Sequence, residues 1–362
     1  MTGQTRSQGR AARSVRVAAG ALALLGVLAG TTARAGDYHS GLTLRCSDCH
    51  IMHYSQSHDL GGPFVGFVGL GPGGPYRSLL RNQTNDLCLA CHDGNVLATD
   101  VLGAVNAGSQ GGIVRNAGYL GHLLQSGETH TGHTLESLDD APGSQPLWNA
   151  QLENGMGQGL SCVNCHDPHG AAGDTHPTGS QYRNLRSNPG HAADTWVTYN
   201  DRSPGLNDLA RDVFQRQALA YDENQVDWNE PDPQSSAIAR WCGGCHTFVH
   251  GNSLGGFGTG GVLGEGLDEH PVWGENLESA MIARYNSLTN RVKVMSEVGT
   301  WFPVGVDATP TCITCHRAHG NGRNRGLIFR SGTGTPTEDG DTGGTSQADL
   351  CQQCHDSGAP TE

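Results

Sequence analysis

Twelve cysteines and six of the eighteen histidines fall into one repeated pattern. The pairs are Cys46/Cys49, Cys88/Cys91, Cys162/Cys165, Cys242/Cys245, Cys312/Cys315 and Cys351/Cys354. Each pair is followed at once by a histidine: His50, His92, His166, His246, His316 and His355. Two thiols two residues apart with an adjacent imidazole are what covalent attachment of a c-type haem requires. The thiols add to the two vinyl groups, and the histidine reaches the iron from the proximal side. A zinc site needs two Cys-x-x-Cys units acting together and leaves the adjacent histidine without a role. A thioredoxin-like redox motif needs a fold that nothing in the sequence indicates. Six covalent haem c groups are therefore expected.

The composition fits interiors filled by cofactor. Only 36% of the 362 residues are hydrophobic and 6% aromatic, while 54 are glycine. Side chains alone offer little material for large apolar cores. A haem for roughly every 50 residues replaces the core such a stretch lacks. Folding should then depend on haem attachment, as small metal domains depend on their metal.

The remaining histidines follow the motifs in three repeats. Each repeat has a leading histidine, then Cys-x-x-Cys-His-x-x-His, then a second motif preceded by a large apolar residue. The first unit has His39, Cys46 to His50 with His53, and Leu87 before Cys88. The second has His133, Cys162 to His166 with His169, and Trp241 before Cys242. The third has His270, Cys312 to His316 with His319, and Leu350 before Cys351. Two extra histidines per doublet is the number that bis-histidine ligation needs, so each doublet is expected to carry its own two distal ligands. The candidates are His39, His53, His133, His169, His270 and His319, with His250 as a seventh. Met52, Met156, Met281 and Met295 show no such regularity and are read as packing residues. His58, His122, His130, His176 and His191 lie outside the repeat.

The rest of the chain places these sites. Arg6, Arg10, Arg13 and Arg16 precede an apolar run from Val17 to Gly30 that ends in Ala33-Arg34-Ala35. This is expected to be a secretory signal peptide over residues 1–35, the apolar run being shorter than the roughly 20 residues that cross a bilayer. Export by this route leads to the periplasm or, beyond it, the cell surface. Three units follow, at 36–120, 121–260 and 261–362, within one continuous haem-cored domain. The Gly-rich stretches 61–75, 251–266 and 331–345 read as loops. Apolar periodicity predicts a helix after Pro204, with Leu206, Leu209, Val213 and Phe214 on one face, and another with Leu277, Ala280, Met281, Tyr285 and Leu288. The run Glu338-Asp339-Gly340-Asp341 reads as a solvated loop. A net charge of −13 argues against nucleic acid as a partner.

In this order the motifs resemble those of the hexahaem outer-surface cytochromes of metal-reducing bacteria, the OmcS type, which polymerise into conductive filaments. The resemblance lies in Tyr38-His39-Ser40-Gly41, Cys46 to His53, Cys162 to His169, Trp241 to His250, His270-Pro271, Cys312 to His319 and Leu350 to His355. It spans nearly the whole chain after residue 35 and is confined to the haem sites. It implies a multihaem cytochrome c fold: mostly loop, short helices wrapped around a row of stacked haems, and little sheet. It further implies that His53 is donated to the haem of Cys312, Cys315 and His316 in the next subunit of a filament. The expected function is extracellular electron transfer, with redox proteins or extracellular acceptors as partners and no membrane span. A monomeric periplasmic carrier and an oxidoreductase with one open haem are the alternatives. All six motifs being standard speaks against the enzyme.

Overall fold

A computed structural model describes residues 39, 44–51, 76–93, 100–103, 117–121, 132–143, 148–149, 159–169, 180–181, 184–186, 189–190, 197–200, 213–215, 237–247, 276–296 and 303–356. Residues 1–35, the candidate ligands His53, His250 and His270, and the glycine-rich stretches 61–75 and 251–266 lie outside them.

Within the described residues the helices are short and most of them carry a haem motif. They are α1 (Cys46–Cys49), α2 (Thr84–His92), α3 (Cys162–Cys165), α4 (Ala237–Cys242), α5 (Ser279–Ser287), α6 (Cys312–Cys315) and α7 (Gln347–Cys351). Two small sheets accompany them. β1 (Ser180–Gln181) pairs antiparallel with β2 (Thr198–Asn200), which pairs parallel with β3 (Val213–Gln215). β4 (Pro336–Thr337) and β5 (Gly340–Asp341) form an antiparallel pair. The expected architecture of loop with short helices and little sheet is what the described residues have.

Two ways of building a motif alternate along the chain. In the first motif of each doublet, α1, α3 and α6 are single turns that contain only Cys-x-x-Cys. The residue before the second cysteine caps the turn. Asp48 Oδ2 accepts from the Arg45 amide at 2.7 Å, Asn164 Oδ1 from the Ser161 amide at 2.8 Å and Thr314 Oγ1 from the Thr311 amide at 2.9 Å. One turn sets the two thiols three residues apart on one face. The chain then switches to extended geometry at the histidine, with φ/ψ of −114/153 at His50, −111/143 at His166 and −118/146 at His316. In the second motifs, Cys242 and Cys351 are the last residues of α4 and α7, while Cys88 lies in the middle of α2, which runs on through His92. The large residue preceding each, Leu87, Trp241 or Leu350, is buried.

Side-chain cores are small. Val197, Ile238, Trp241 and Met295 form one cluster, against which Cys165, Cys242 and Ile313 pack. Leu277, Ile282, Tyr285, Val292, Val294, Val304, Ala308, Ile328 and Leu350 form the other, against which Cys315 and Cys354 pack. Both cores thus abut haem-attachment cysteines. The helix predicted around Leu277 to Leu288 is α5, but it buries Ile282 and Tyr285 and leaves Ala280 exposed. The helix predicted after Pro204 is corrected at Val213–Gln215, which is strand β3. Val213 and Phe214 suit a pleated ladder, and here they pair in register with Thr198 and Tyr199. The stretch 331–345 is also more ordered in build than a plain loop. The Asp341 carboxylate is buried and accepts hydrogen bonds from Ser331 Oγ, the Asn290 side chain and the amides of Gly332, Gly343 and Gly344.

Candidate haem sites

Four imidazole pairs organise the described residues. His50 faces His169 with ring centres 5.8 Å apart and planes at 19°. His92 faces His39 at 6.2 Å, His246 faces His133 at 5.9 Å and His166 faces His319 at 6.2 Å. In every pair one histidine belongs to a Cys-x-x-Cys-His motif and the other is a distal candidate. A nitrogen bonded to a metal at about 2 Å sets its ring centre about 3 Å away, so two imidazoles across one iron stand about 6 Å apart. The pairs therefore fit a haem iron between them. Among the described residues no group of three or more His, Cys, Asp or Glu side chains is arranged to hold a bare metal ion.

Backbone carbonyls orient the rings. Nδ1 of His50 donates to Ser78 O at 2.9 Å, Nδ1 of His246 to Pro142 O at 2.9 Å and Nδ1 of His316 to Arg325 O at 2.8 Å. On the distal side, Nδ1 of His39 donates to Pro168 O at 3.1 Å, and Nδ1 of His133 to Ala318 O at 2.5 Å. A carbonyl only accepts, so Nδ1 holds the proton and Nε2 is left bare for a metal. Burial holds the His316 imidazole below the usual range, in the neutral form that coordination needs.

Consecutive motifs adjoin. Cys49 lies near Cys91, Cys88 near Cys162, Cys165 near Cys242, Cys242 near Cys312, and Cys315 near Cys354. Successive attachment sites are thus neighbours from first to last. Burial pushes the Cys165 and Cys354 thiols up to about 11 and the Cys315 thiol to about 12.

The pairing differs from the expectation that each doublet carries its own distal ligands. His39 and His133 do face the second motif of their own doublets. His169 and His319 instead cross into the preceding doublet, to His50 and His166. Three residues after a proximal histidine, a side chain cannot double back across the same haem, and each of these two instead faces the motif two sites earlier in the chain. Among the described residues no imidazole is paired with His316.

A positioning element was missed in the sequence. After each first motif the chain returns to form an isolated antiparallel bridge: His50 with Leu80, His166 with Leu185 and His316 with Leu327. The return segment donates to the helix it braces, with Arg81, Arg186 and Ile328 amides on Cys49 O, Cys165 O and Cys315 O. The Arg81 and Arg186 side chains add bonds to Ser47 O and Val163 O. The legible signal is a leucine at each bridge, Leu80, Leu185 or Leu327, followed in the first two by an arginine, Arg81 or Arg186. Ser78, Leu79, Asn184 and Arg325 there adopt φ of 54–58°, a left-handed geometry that non-glycine residues take up only under tertiary constraint.

Residues 303–360, which contain the third doublet's motifs, match the family described as Doubled CXXCH motif. That segment thus carries the doubled attachment motif of c-type haem proteins, and four further Cys-x-x-Cys-His motifs of the same form precede it. Two solved filament structures resemble it, both from Geobacter sulfurreducens. The OmcS nanowires solved by cryo-EM share 17% identity over 90% of this chain and 99% of theirs, with a TM-score of 0.45. The Outer Membrane Cytochrome S filament shares 16% over 82% and 84%, with a TM-score of 0.46. No curated protein matches this chain.

Proposed function

We propose that this protein passes electrons along six bis-histidine haems and is the repeating subunit of an extracellular cytochrome filament. The four imidazole pairs, spaced as two ligands across one iron, carry this reading. A haem so ligated offers a one-electron ferric/ferrous couple and no open position for substrate. The chain's own residues do the rest. The cysteines fix each haem, the carbonyls orient the imidazoles, and the adjoining motifs keep successive haems close.

The pairing rule supplies the remaining ligands. A leading histidine serves the second motif of its own doublet, so His270 serves the His355 haem. The second His of each His-x-x-His serves the first motif of the preceding doublet. Applied to the first doublet, this rule leaves the chain: His53 has no preceding doublet, and the first motif of the third, at His316, still needs a donor. His53 of one copy bound to the His316 haem of another satisfies both, in agreement with the resemblance. Such a head-to-tail contact repeats without closing and makes a filament. His250 then remains a spare. Residues 1–35 direct export, and no helix among the described residues is long and apolar enough to cross a membrane.

Electron microscopy of the purified holoprotein tests assembly directly. Ordered filaments are expected, with short or monomeric species for His53→Ala and a high-spin signal from one haem. Filaments unchanged in that variant would remove His53 from the contact. A wild-type protein that stays monomeric with all haems low-spin would instead be the periplasmic carrier.

A further inference from the structure

We propose that the peptide carbonyls of Pro168 and Ala318 are positioning groups for haems that their neighbouring histidines do not ligate. The inference rests on the bis-histidine reading above and extends it to the control of individual potentials.

Two tetrapeptides each reach three successive haem sites. In His166-Asp167-Pro168-His169, His166 is the proximal histidine of the Cys162/Cys165 site. His169 faces His50 of the Cys46/Cys49 site. Pro168 O accepts the Nδ1 proton of His39, whose ring faces His92 of the Cys88/Cys91 site. His316-Arg317-Ala318-His319 repeats the arrangement two sites further on. His316 belongs to the Cys312/Cys315 site, and His319 faces His166. Ala318 O accepts from Nδ1 of His133, which faces His246 of the Cys242/Cys245 site. The turn carrying Pro168 is held by the His169 amide on Asp167 Oδ1 at 3.0 Å. The one carrying Ala318 is held by the His319 amide on Ala117 O at 2.7 Å and the Tyr119 amide on Gly320 O at 3.0 Å.

The chemical consequence is specific. A hydrogen bond from Nδ1 raises the basicity of Nε2, and a more basic axial ligand favours ferric over ferrous iron. Each carbonyl therefore lowers the potential of the haem at the site immediately before its own cysteine pair. One tetrapeptide also sets the spacing of three haems, which long intervening loops by themselves leave undefined.

The test uses the holoprotein. Ala318→Gly frees the peptide to rotate, and Ala318→Ser retains the restricted backbone. The Cys242/Cys245 haem is assigned by its loss in a Cys242→Ser, Cys245→Ser variant. In Ala318→Gly its reduction equilibrium should shift toward ferrous by about tenfold, which is about 59 mV for one electron, and its low-spin EPR signal should move. Ala318→Ser should restore both. A change confined to the Cys162/Cys165 haem, which His319 serves, overturns the proposal. Should the Ala318→Gly protein fail to mature, Pro168→Ala read at the Cys88/Cys91 haem gives the same two outcomes. His133→Ala that leaves every haem six-coordinate overturns the bis-histidine reading itself, a result distinct from failure of the carbonyl's role.

Discussion

His50 and His169 stand 5.8 Å apart with nearly parallel rings although they belong to different doublets. The contact makes the second histidine of one His-x-x-His the partner of the preceding unit's first haem. It interlocks the first two units, and His166 facing His319 does the same for the second and third.

His169→Ala should therefore disturb the first doublet, not the second. One high-spin haem is expected, assigned to Cys46/Cys49 by peptide-resolved or difference spectroscopy. His169→Met should keep that haem low-spin and raise its potential. A change at the Cys162/Cys165 haem alone would contradict the pairing.

Chain produced without haem attachment should lack a cooperative unfolding transition by circular dichroism. The two side-chain cores are small and abut the attachment cysteines, so the haem faces are part of the interior they need. A sharp melt of the apo chain would show that side chains suffice.

Gly132 lies against the third doublet's distal segment. A Cβ there would sit 2.5 Å from Gly320 Cα and 2.9 Å from Gly320 N, backbone atoms that cannot turn aside. Gly132→Ala should cost about 1–3 kcal/mol in denaturant unfolding of the holoprotein and perturb the His133 and His319 sites together. Unaltered stability would mean that the two segments separate readily.

Acid should loosen the 331–344 segment. Burial by itself would raise the Asp341 carboxyl, but hydrogen bonds from Ser331, Gly332 and Gly344 outweigh it and hold the group below the usual carboxylate range. Burial is likewise the largest single effect on the Asp349 carboxyl and would raise it, but the hydrogen bonds from Thr345 and Ser346 together outweigh it and lower the group. A carboxyl lowered in the folded state contributes stability above its unfolded value and loses that contribution as pH falls through the folded one. Thermal stability should thus drop below about pH 4, and Asp341→Asn should flatten the dependence while lowering stability at pH 7. An equal slope in the variant would place the acid response elsewhere.

The sequence by itself determined the attachment chemistry, because a Cys-x-x-Cys-His motif is local: one helical turn and the next residue hold everything that grips a haem's edge and one axial face. It determined the distal candidates too, since His39, His133, His169 and His319 stand out by repeat. The positioning strap was only faintly written, as a leucine at each bridge in a segment whose contribution is mostly backbone hydrogen bonds, which any residue type can make. Which histidine faces which motif was decided by tertiary structure alone. His169 and His319 are local to one motif in sequence, but ring geometry prevents them from reaching around its haem, and the tertiary packing brings the motif two sites earlier to them.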